Sequence, residues 1–279
     1  MTTPAEDHAA PAPPRRAALL TGLALTAGTL TAGVTAGCST PRATHARPLS
    51  PPPAAPSAPS AAATRGAPAL APAPRRYPDR PADITHGSRT RPSRVALTFH
   101  GQGDPAVANS LLGEAEKAGA RVTVLAVGTW LDEHPGLARR ILDGGHDLGN
   151  HTLRHLDINA MSRTDAAAEI QGCADRLKRL TGSIGTWFRP SRSPRASPLV
   201  ARLAREAGYP HTLSYEVDSL DYTSPGAAAV TRNVLAGVGP GSIVSLHFGY
   251  ADTVAALPAL LHELDRRGLR AVTTTELLS

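Results

Sequence analysis

From Arg94 onward the chain alternates short apolar runs with stretches of helical spacing, and that alternation limits the folds open to it more than any other feature. The runs expected as strands are Arg94 to Phe99, Val122 to Val127, His146 to Gly149, Thr186 to Arg189, His211 to Tyr215, Ser242 to His247 and Arg270 to Thr274. Between them, Ala106 to Ala118, Pro135 to Leu142, Thr164 to Leu180, Pro198 to Ala207, Ala227 to Gly237 and Val254 to Arg267 read as helices; Leu111, Leu112 and Ala115, for example, share one side of the first. Strand and helix in turn predict parallel βαβ units, and about seven of them in one domain predict barrel-like closure. In folds of this class the chemistry sits at the carboxyl ends of the strands. The unusual polar residues of this chain fall at those ends: His100 and Asp104, His151 and His155, Arg189, Asp218 and Asp221, and His247.

Residues 1–93 obey a different composition. They hold 17 of the 26 prolines, in Ala/Pro/Ser runs that bury too little apolar surface to offset the entropy of ordering. The expected division is a signal segment over 1–38, a Pro/Ala-rich linker over 39–90 and one folded domain over 91–279. Charge divides at the same place. Residues 1–93 contain 10 Arg and 4 acidic residues, a net +6, while the remaining 19 Lys+Arg and 19 Asp+Glu cancel. A nucleic-acid binder carries its positive charge on the folded module, so that class of partner is excluded, and a basic tail near an anionic membrane or wall polymer is the simpler use.

Arg15-Arg16, the apolar run Ala17 to Val34 and Thr35-Ala36-Gly37-Cys38 have the form of a bacterial lipoprotein signal peptide, with Cys38 as the residue to be lipidated. An uncleaved membrane helix is the alternative. Either arrangement holds the domain outside the cytoplasm, at the outer face of the membrane. The second cysteine, Cys173, lies in a helical segment and is expected as a buried structural thiol without a disulfide partner.

The stretch Gly145-His146-Asp147-Leu148-Gly149-Asn150-His151-Thr152-Leu153-Arg154-His155 carries the clearest chemistry. If it turns helical after Asn150, His151 and His155 fall on one face and form half of a zinc-like site, with Asn150 holding a ligand ring by hydrogen bond. Two surface histidines at a helix start are the bland alternative.

These segments, in this order, resemble the polysaccharide deacetylases, the NodB-like carbohydrate esterase family 4, over residues 91 to 279. Gly149-Asn150-His151-Thr152-Leu153-Arg154-His155 is similar to the family's His-rich metal motif, Phe188-Arg189-Pro190 to its arginine motif, Val217 to Tyr222 to its fourth motif, and Ser245-Leu246-His247 to its last. Ser191-Arg192-Ser193 stands where the family has Pro-Tyr-Gly. The resemblance implies a distorted (β/α) barrel and metal-dependent hydrolysis of N-acetyl groups on an amino-sugar polymer. It also implies a metal held by two His and an Asp, an Asp as general base and the last-motif His as general acid.

The first motif departs from the pattern. Thr98-Phe99-His100-Gly101-Gln102-Gly103-Asp104-Pro105 puts His100 at the place of the base and Gly101 at the place of the metal-binding carboxylate, with two extra residues before Asp104. The expected metal ligands are therefore His151, His155 and Asp104, the last reaching back across a Gly-rich turn or, alternatively, favouring a helix dipole. His100 is expected as base, as a ligand or as a space-filler. His247 is expected as general acid kept charged by Asp218, or as a buried core imidazole; Asp221 reads as a turn residue. Arg189 orients the base or a substrate carboxylate, or serves as a structural ion-pair partner, and Tyr222 and Leu246 line an acetyl-sized pocket. Trp130 and Trp187 read as core. The function that follows is N-deacetylation of a cell-wall or exopolysaccharide glycan with a divalent ion, zinc. A glycan-binding lipoprotein without activity and a hydrolase of another C–N bond are the alternatives.

Overall fold

The computed structural model describes residues 71–90 and 93–279; the signal segment with Cys38, and the linker up to residue 70, lie outside them. Numbering elements in chain order, the sheet runs β4 (Asp147–Asn150), β3 (Thr123–Ala126), β2 (Arg94–Gly101), β7 (Ile243–His247), β6 (Val217–Asp218), all parallel. A short β8 (Arg270–Ala271) pairs with Arg94 and Val95 at the start of β2. The ladders alone leave this sheet open. Single-residue bridges carry it round: Phe188 joins Asn150 to Thr212, β5 (Thr212–Leu213) pairs with β1 (Asp83–Ile84), and His86 bridges Ser242. The result is an α/β fold of the distorted (β/α) barrel kind. The strand expected over Thr186 to Arg189 shrinks to the bridge at Phe188, since it runs directly into Pro190, which has no amide to donate.

Helices α1 (Pro105–Lys117), α2 (Gly128–Glu133), α3 (Gly136–Asp143), α4 (Arg163–Thr181), α5 (Pro198–Glu206), α6 (Ala227–Gly237), α7 (Ala251–Arg266) and α8 (Thr274–Leu278) follow the strands. Their ends are written in the sequence. Ser162 and Ser197 accept amides of the first turns of α4 and α5, and Gly182 ends α4 in the left-handed region. None of the helices among the described residues is long and apolar enough to cross a membrane.

Strand alternation decides which residues can reach the site. On β2, Val95, Leu97 and Phe99 face outward into the main core with the helices, as do Val244 and Leu246 of β7. Ala96 and Ile243 face the barrel interior with Leu125, Trp187 and Leu213. By the same period of two, Thr98 and His100, and Ser245 and His247, point inward, and the register places Thr98 opposite Ser245 and His100 opposite His247. Loss of the Phe99 ring from the outer core would cost about 3–5 kcal/mol.

Composition predicts a linker over residues 39–90. The described chain instead packs onto the barrel from Ala71: its amide donates to the Thr181 carbonyl, Tyr77 stacks on Trp187 at 5.6 Å, and Ile84 is buried in the interior. An average over a proline-rich window hides two well-placed apolar anchors and a strand of two residues.

Candidate metal centre and cleft

The end of β4 does not continue into a helix, so His151 and His155 do not share a helix face. Thr152 (φ 70°) and His155 (φ 58°) both adopt the left-handed conformation, which a helix cannot contain. The turn is held by its neighbours. Asn150 Oδ1 accepts the Thr152 amide and its Nδ2 donates to the Ile170 carbonyl and Tyr209 hydroxyl. The fully buried Glu169 of α4 accepts both the Arg154 amide and its Nε, at 2.8 and 2.6 Å. Ser191, at a position where the family pattern has Pro, is buried and bonds Thr152 Oγ1 and the Leu156 carbonyl. Strain of this sort persists only where surroundings over-determine it.

His151 is fully buried, and its Nδ1 lies 3.0 Å from the Arg189 carbonyl. A carbonyl can only accept, so Nδ1 carries the proton and Nε2 a lone pair. That Nε2 is buried and has no hydrogen-bond partner among the described residues. Such an orphan acceptor costs about 1–3 kcal/mol unless something fills it. What stands beside it is more imidazole: His151 lies 4.4 Å from His100 and 4.9 Å from His155 between ring centroids. One ring nitrogen from each of the three lies within 4.8 Å of the others. Burial and the neighbouring imidazoles push His100 and His151 well below the usual histidine range, and burial followed by the charge of Arg192 lowers His155 to about 4. Three neutral imidazoles with converging nitrogens are a donor set that fits a divalent cation.

Asp104 is outside this group. It is exposed and caps α1, its carboxylate accepting the Ala106 amide at 2.7 Å, the helix-terminal role that competed with ligation in the sequence. Gly101 cannot host the missing carboxylate without movement, since a Cβ there would meet Val124 Cγ1 at 2.9 Å and the Ala126 Cα at 3.1 Å. The imidazole of His100, one residue earlier and on the inward face, takes the place beside His151, its Nε2 sharing a hydrogen bond with Ser245 Oγ at 3.2 Å.

His247 adjoins His100, with centroids 4.2 Å apart. Its carboxylate partner is Asp221 and not Asp218. Asp221 is fully buried and accepts from His247 Nδ1 at 2.6 Å, from the His247 amide at 2.8 Å and from Thr253 Oγ1 at 2.7 Å. These bonds fix Nδ1 as a donor and leave Nε2 as the free nitrogen. Asp218 lines the cleft, but its Oδ1 accepts the Leu220 amide in the turn. The signal that separates the two aspartates is register: Leu220, left-handed at φ 55°, turns the chain so that Asp221 comes back under β7.

Arg189 is fully buried and makes no ion pair among the described residues. Its Nε and Nη2 donate to the Leu213 and Ser214 carbonyls, its guanidinium lies 5.3 Å from the Tyr215 ring centroid, and Nη1 has no partner. Burial lowers it to about 10. Leu246, expected in the acetyl pocket, packs in the outer core because it sits one residue off the inward face. Tyr222 does line the cleft, edge-on to His247 at 5.5 Å, and Tyr250, which sequence reasoning missed, does so at 5.8 Å. Trp130 and Trp187 are buried. Cys173 is buried too, and burial pushes its thiol up to about 12. The cleft over these groups encloses about 620 Å³, room for a sugar unit or two.

A parallel barrel with converging neutral imidazoles and a carboxylate-paired histidine at its strand ends defines a candidate metal-dependent hydrolase. Comparison with known proteins makes the class specific. The family described as Polysaccharide deacetylase matches residues 87–212. The chain is 32% identical over 188 residues to a peptidoglycan-N-acetylglucosamine deacetylase of Bacillus cereus, covering 66% of this chain and 87% of that protein. It is 31% identical over 203 residues to a chitooligosaccharide deacetylase of Sinorhizobium fredii, covering 65% and 90%. Among solved structures, a mutant with restored enzymatic activity of a carbohydrate esterase family 4 pseudoenzyme from Bacillus anthracis aligns at 25% identity with a TM-score of 0.67, covering 72% of each chain. The chain belongs to the polysaccharide deacetylases of carbohydrate esterase family 4.

Proposed function

We propose that the protein is a metal-dependent hydrolase that removes N-acetyl groups from an amino-sugar polysaccharide of the cell wall or an exopolysaccharide. The observation that carries this reading is the grouping of His100, His151 and His155 within 4.8 Å, beside a cleft lined by His100, His155 and by His247, whose Nδ1 is paired with the buried Asp221. In this reading the three imidazoles hold a divalent ion, zinc, as the buried, unpartnered His151 Nε2 and the lowered basicity of all three rings favour. When bound, such an ion polarises an acetamide carbonyl and lowers the pKa of a bound water toward ~7.

The chain's own groups supply the rest. Asp221 holds His247 in one tautomer with Nε2 toward the cleft. As water oxygen bonds to the acetyl carbon, His247 Nε2 takes up the proton that the water gives up, and as the C–N bond breaks it passes that proton to the departing sugar amine. Tyr222 and Tyr250 present ring faces and edges beside that imidazole and bound the sugar, and Arg189 fixes His151 through its own carbonyl. Similarity to a peptidoglycan-N-acetylglucosamine deacetylase and to a chitooligosaccharide deacetylase supports the substrate class. The lipoprotein form of residues 1–38 supports tethering outside the membrane through Cys38.

Acetate release from N-acetylated glycan tests the reading. It is expected to vanish on chelation, to return with zinc, and to be absent in His151→Ala together with the bound ion; unchanged release from His151→Ala would contradict it. One observation favours a second reading, a glycan-binding protein without turnover: no carboxylate occupies the ends of β2 where the family places base and ligand, His100 and Gly101 standing there instead. Glycan binding with no acetate under any divalent ion would establish it.

A further inference from the structure

Around the cleft, charge is distributed unevenly. On the side of His155, the loop that replaces the family's Pro-Tyr-Gly brings Arg192 into the cleft lining. Arg192 sits in the left-handed region at φ 52°, in a turn pinned where Ser193 Oγ donates to the Arg195 carbonyl and Asn159 Nδ2 donates to Ser193 Oγ. Its guanidinium is near enough to His155 to be the largest influence on that ring after burial. Yet it has no carboxylate partner among the described residues. Its neighbours differ: Arg195, three residues on, pairs with Asp83 at 2.7 Å, and Arg154 pairs with Glu169 at 2.6 Å. A cation at the mouth of a cleft, left without a counter-charge while adjacent arginines have theirs, has its five donors available to a ligand.

The rest of the cleft does not neutralise it. Asp218 is the carboxylate in its lining, makes no ion pair with Arg192, and has one oxygen committed to the Leu220 amide. Asp221 is spent on His247 and Thr253. The carboxylates that the family pattern has at the end of β2 are replaced by an imidazole and a glycine, and Arg189 adds a second, buried guanidinium with no anion bonded to it. The wall of Tyr215, Tyr222 and Tyr250 is aromatic, suited to sugar rings rather than to charge.

We infer that the cleft selects an acetamido-sugar strand that carries a carboxylate on the unit beside the reacting N-acetyl group, with Arg192 as the residue that recognises it. A planar guanidinium matches a carboxylate in a two-pronged geometry that a neutral hydroxyl cannot supply. This inference rests on the deacetylase reading for the identity of the polymer, and on charge for the choice between a carboxylate-bearing glycan and a neutral one such as a chitooligosaccharide.

The test uses the zinc-loaded full chain and three probes: peptide-free peptidoglycan strands, which carry ring-linked carboxylates; the same strands with those carboxylates converted to methylamides; and a neutral chitooligosaccharide. Wild type is expected to show kcat/KM about five-fold higher on acid strands than on amidated ones, the size appropriate to a charge-assisted contact at an exposed rim. Arg192→Gln should bring that ratio to about one, and Arg192→Lys should keep part of it. A wild-type ratio of one or below, or a ratio that survives Arg192→Gln, overturns the inference. If wild type releases acetate from none of the three, the deacetylase reading fails, and dissociation constants for the acid and amidated strands decide the inference on the same ratio; equal constants, or no binding, overturn it.

Discussion

The ends of β4 and β2 face each other across one cleft and are built in opposite ways. At the end of β4, a turn with two left-handed residues is fixed from every side, by Asn150, Glu169 and Ser191, and it brings His151 and His155 within reach of one another. At the end of β2 the sequence runs His100-Gly101-Gln102-Gly103-Asp104, and the residue with the chemistry of a metal ligand, Asp104, turns away to cap a helix while an imidazole takes its place. The difference teaches that position on the inward face outranks residue type: a carboxylate four residues along a glycine-rich turn loses to a histidine already pointing at the site.

The sharpest way to break the comparison is at the β4 end. His151→Ala removes the central imidazole, and we expect bound metal to fall from about one equivalent to below about 0.1, with acetate release down by at least about 10³-fold; metal content by emission spectroscopy and an acetate assay read both. Next comes the acid. Asp221→Asn leaves His247 without its charged partner and should cost about 10²-fold or more in kcat, whereas Asp218→Asn should stay within about three-fold, since Asp218 holds only a turn amide. Equal losses would return the role to Asp218.

The β2 end is then tested by a pair. His100→Ala should weaken metal binding by about 10²-fold in a chelator competition, with Asp104→Ala leaving it within about two-fold while lowering stability by about 1 kcal/mol through loss of the N-cap. The reverse pattern would make Asp104 the ligand. A smaller effect separates support from ligation: Ser191→Ala should reduce metal affinity by about 10-fold with native folding retained, because it releases the turn that presents His155.

Proton linkage gives a further expectation for the metal-free protein. His100, His151 and His155 all titrate lower in the fold than the usual ~6.5 of a free imidazole. Below that value the unfolded chain binds more protons than the native one, so stability is fully present above pH ~6.5 and is lost as pH falls toward the folded value of about 4 for His155. Tm of the apoprotein should therefore drop by about 5 °C or more between pH 7 and pH 5, and bound zinc, which keeps the rings deprotonated in the fold, should raise Tm without removing that dependence. A Tm independent of pH over this range would mean that the rings are not buried neutral.

Much of this was legible in residues and spacing. The parallel α/β plan followed from the strand and helix runs, and the register that sets His100 against His247 joins two strands whose polar ends were visible in the chain. Of the three features that differ, two were not legible, for physical reasons, and the third, the place of Leu246, follows from strand alternation and is missed only when its motif is read alone. Which of Asp218 and Asp221 reaches His247 depends on one left-handed residue, Leu220, whose conformation no propensity dictates. The motif around Leu246 points to the pocket, whereas the period of two sends that side chain to the outer core. The contribution of residues 71–90 rests on a few long-range contacts, such as Tyr77 on Trp187, that a proline-rich composition conceals.

The central claim, that three imidazoles from two strand ends form the metal site, is tested most directly by a crystal structure of the zinc-loaded protein with the ion located by anomalous scattering. The account predicts one zinc with ring nitrogens of His100, His151 and His155 each at about 2.0–2.1 Å and Asp104 still capping α1. A zinc bound by His151 and His155 with a carboxylate oxygen of Asp104 at about 2.0–2.2 Å, and the His100 ring beyond bonding distance, would contradict it.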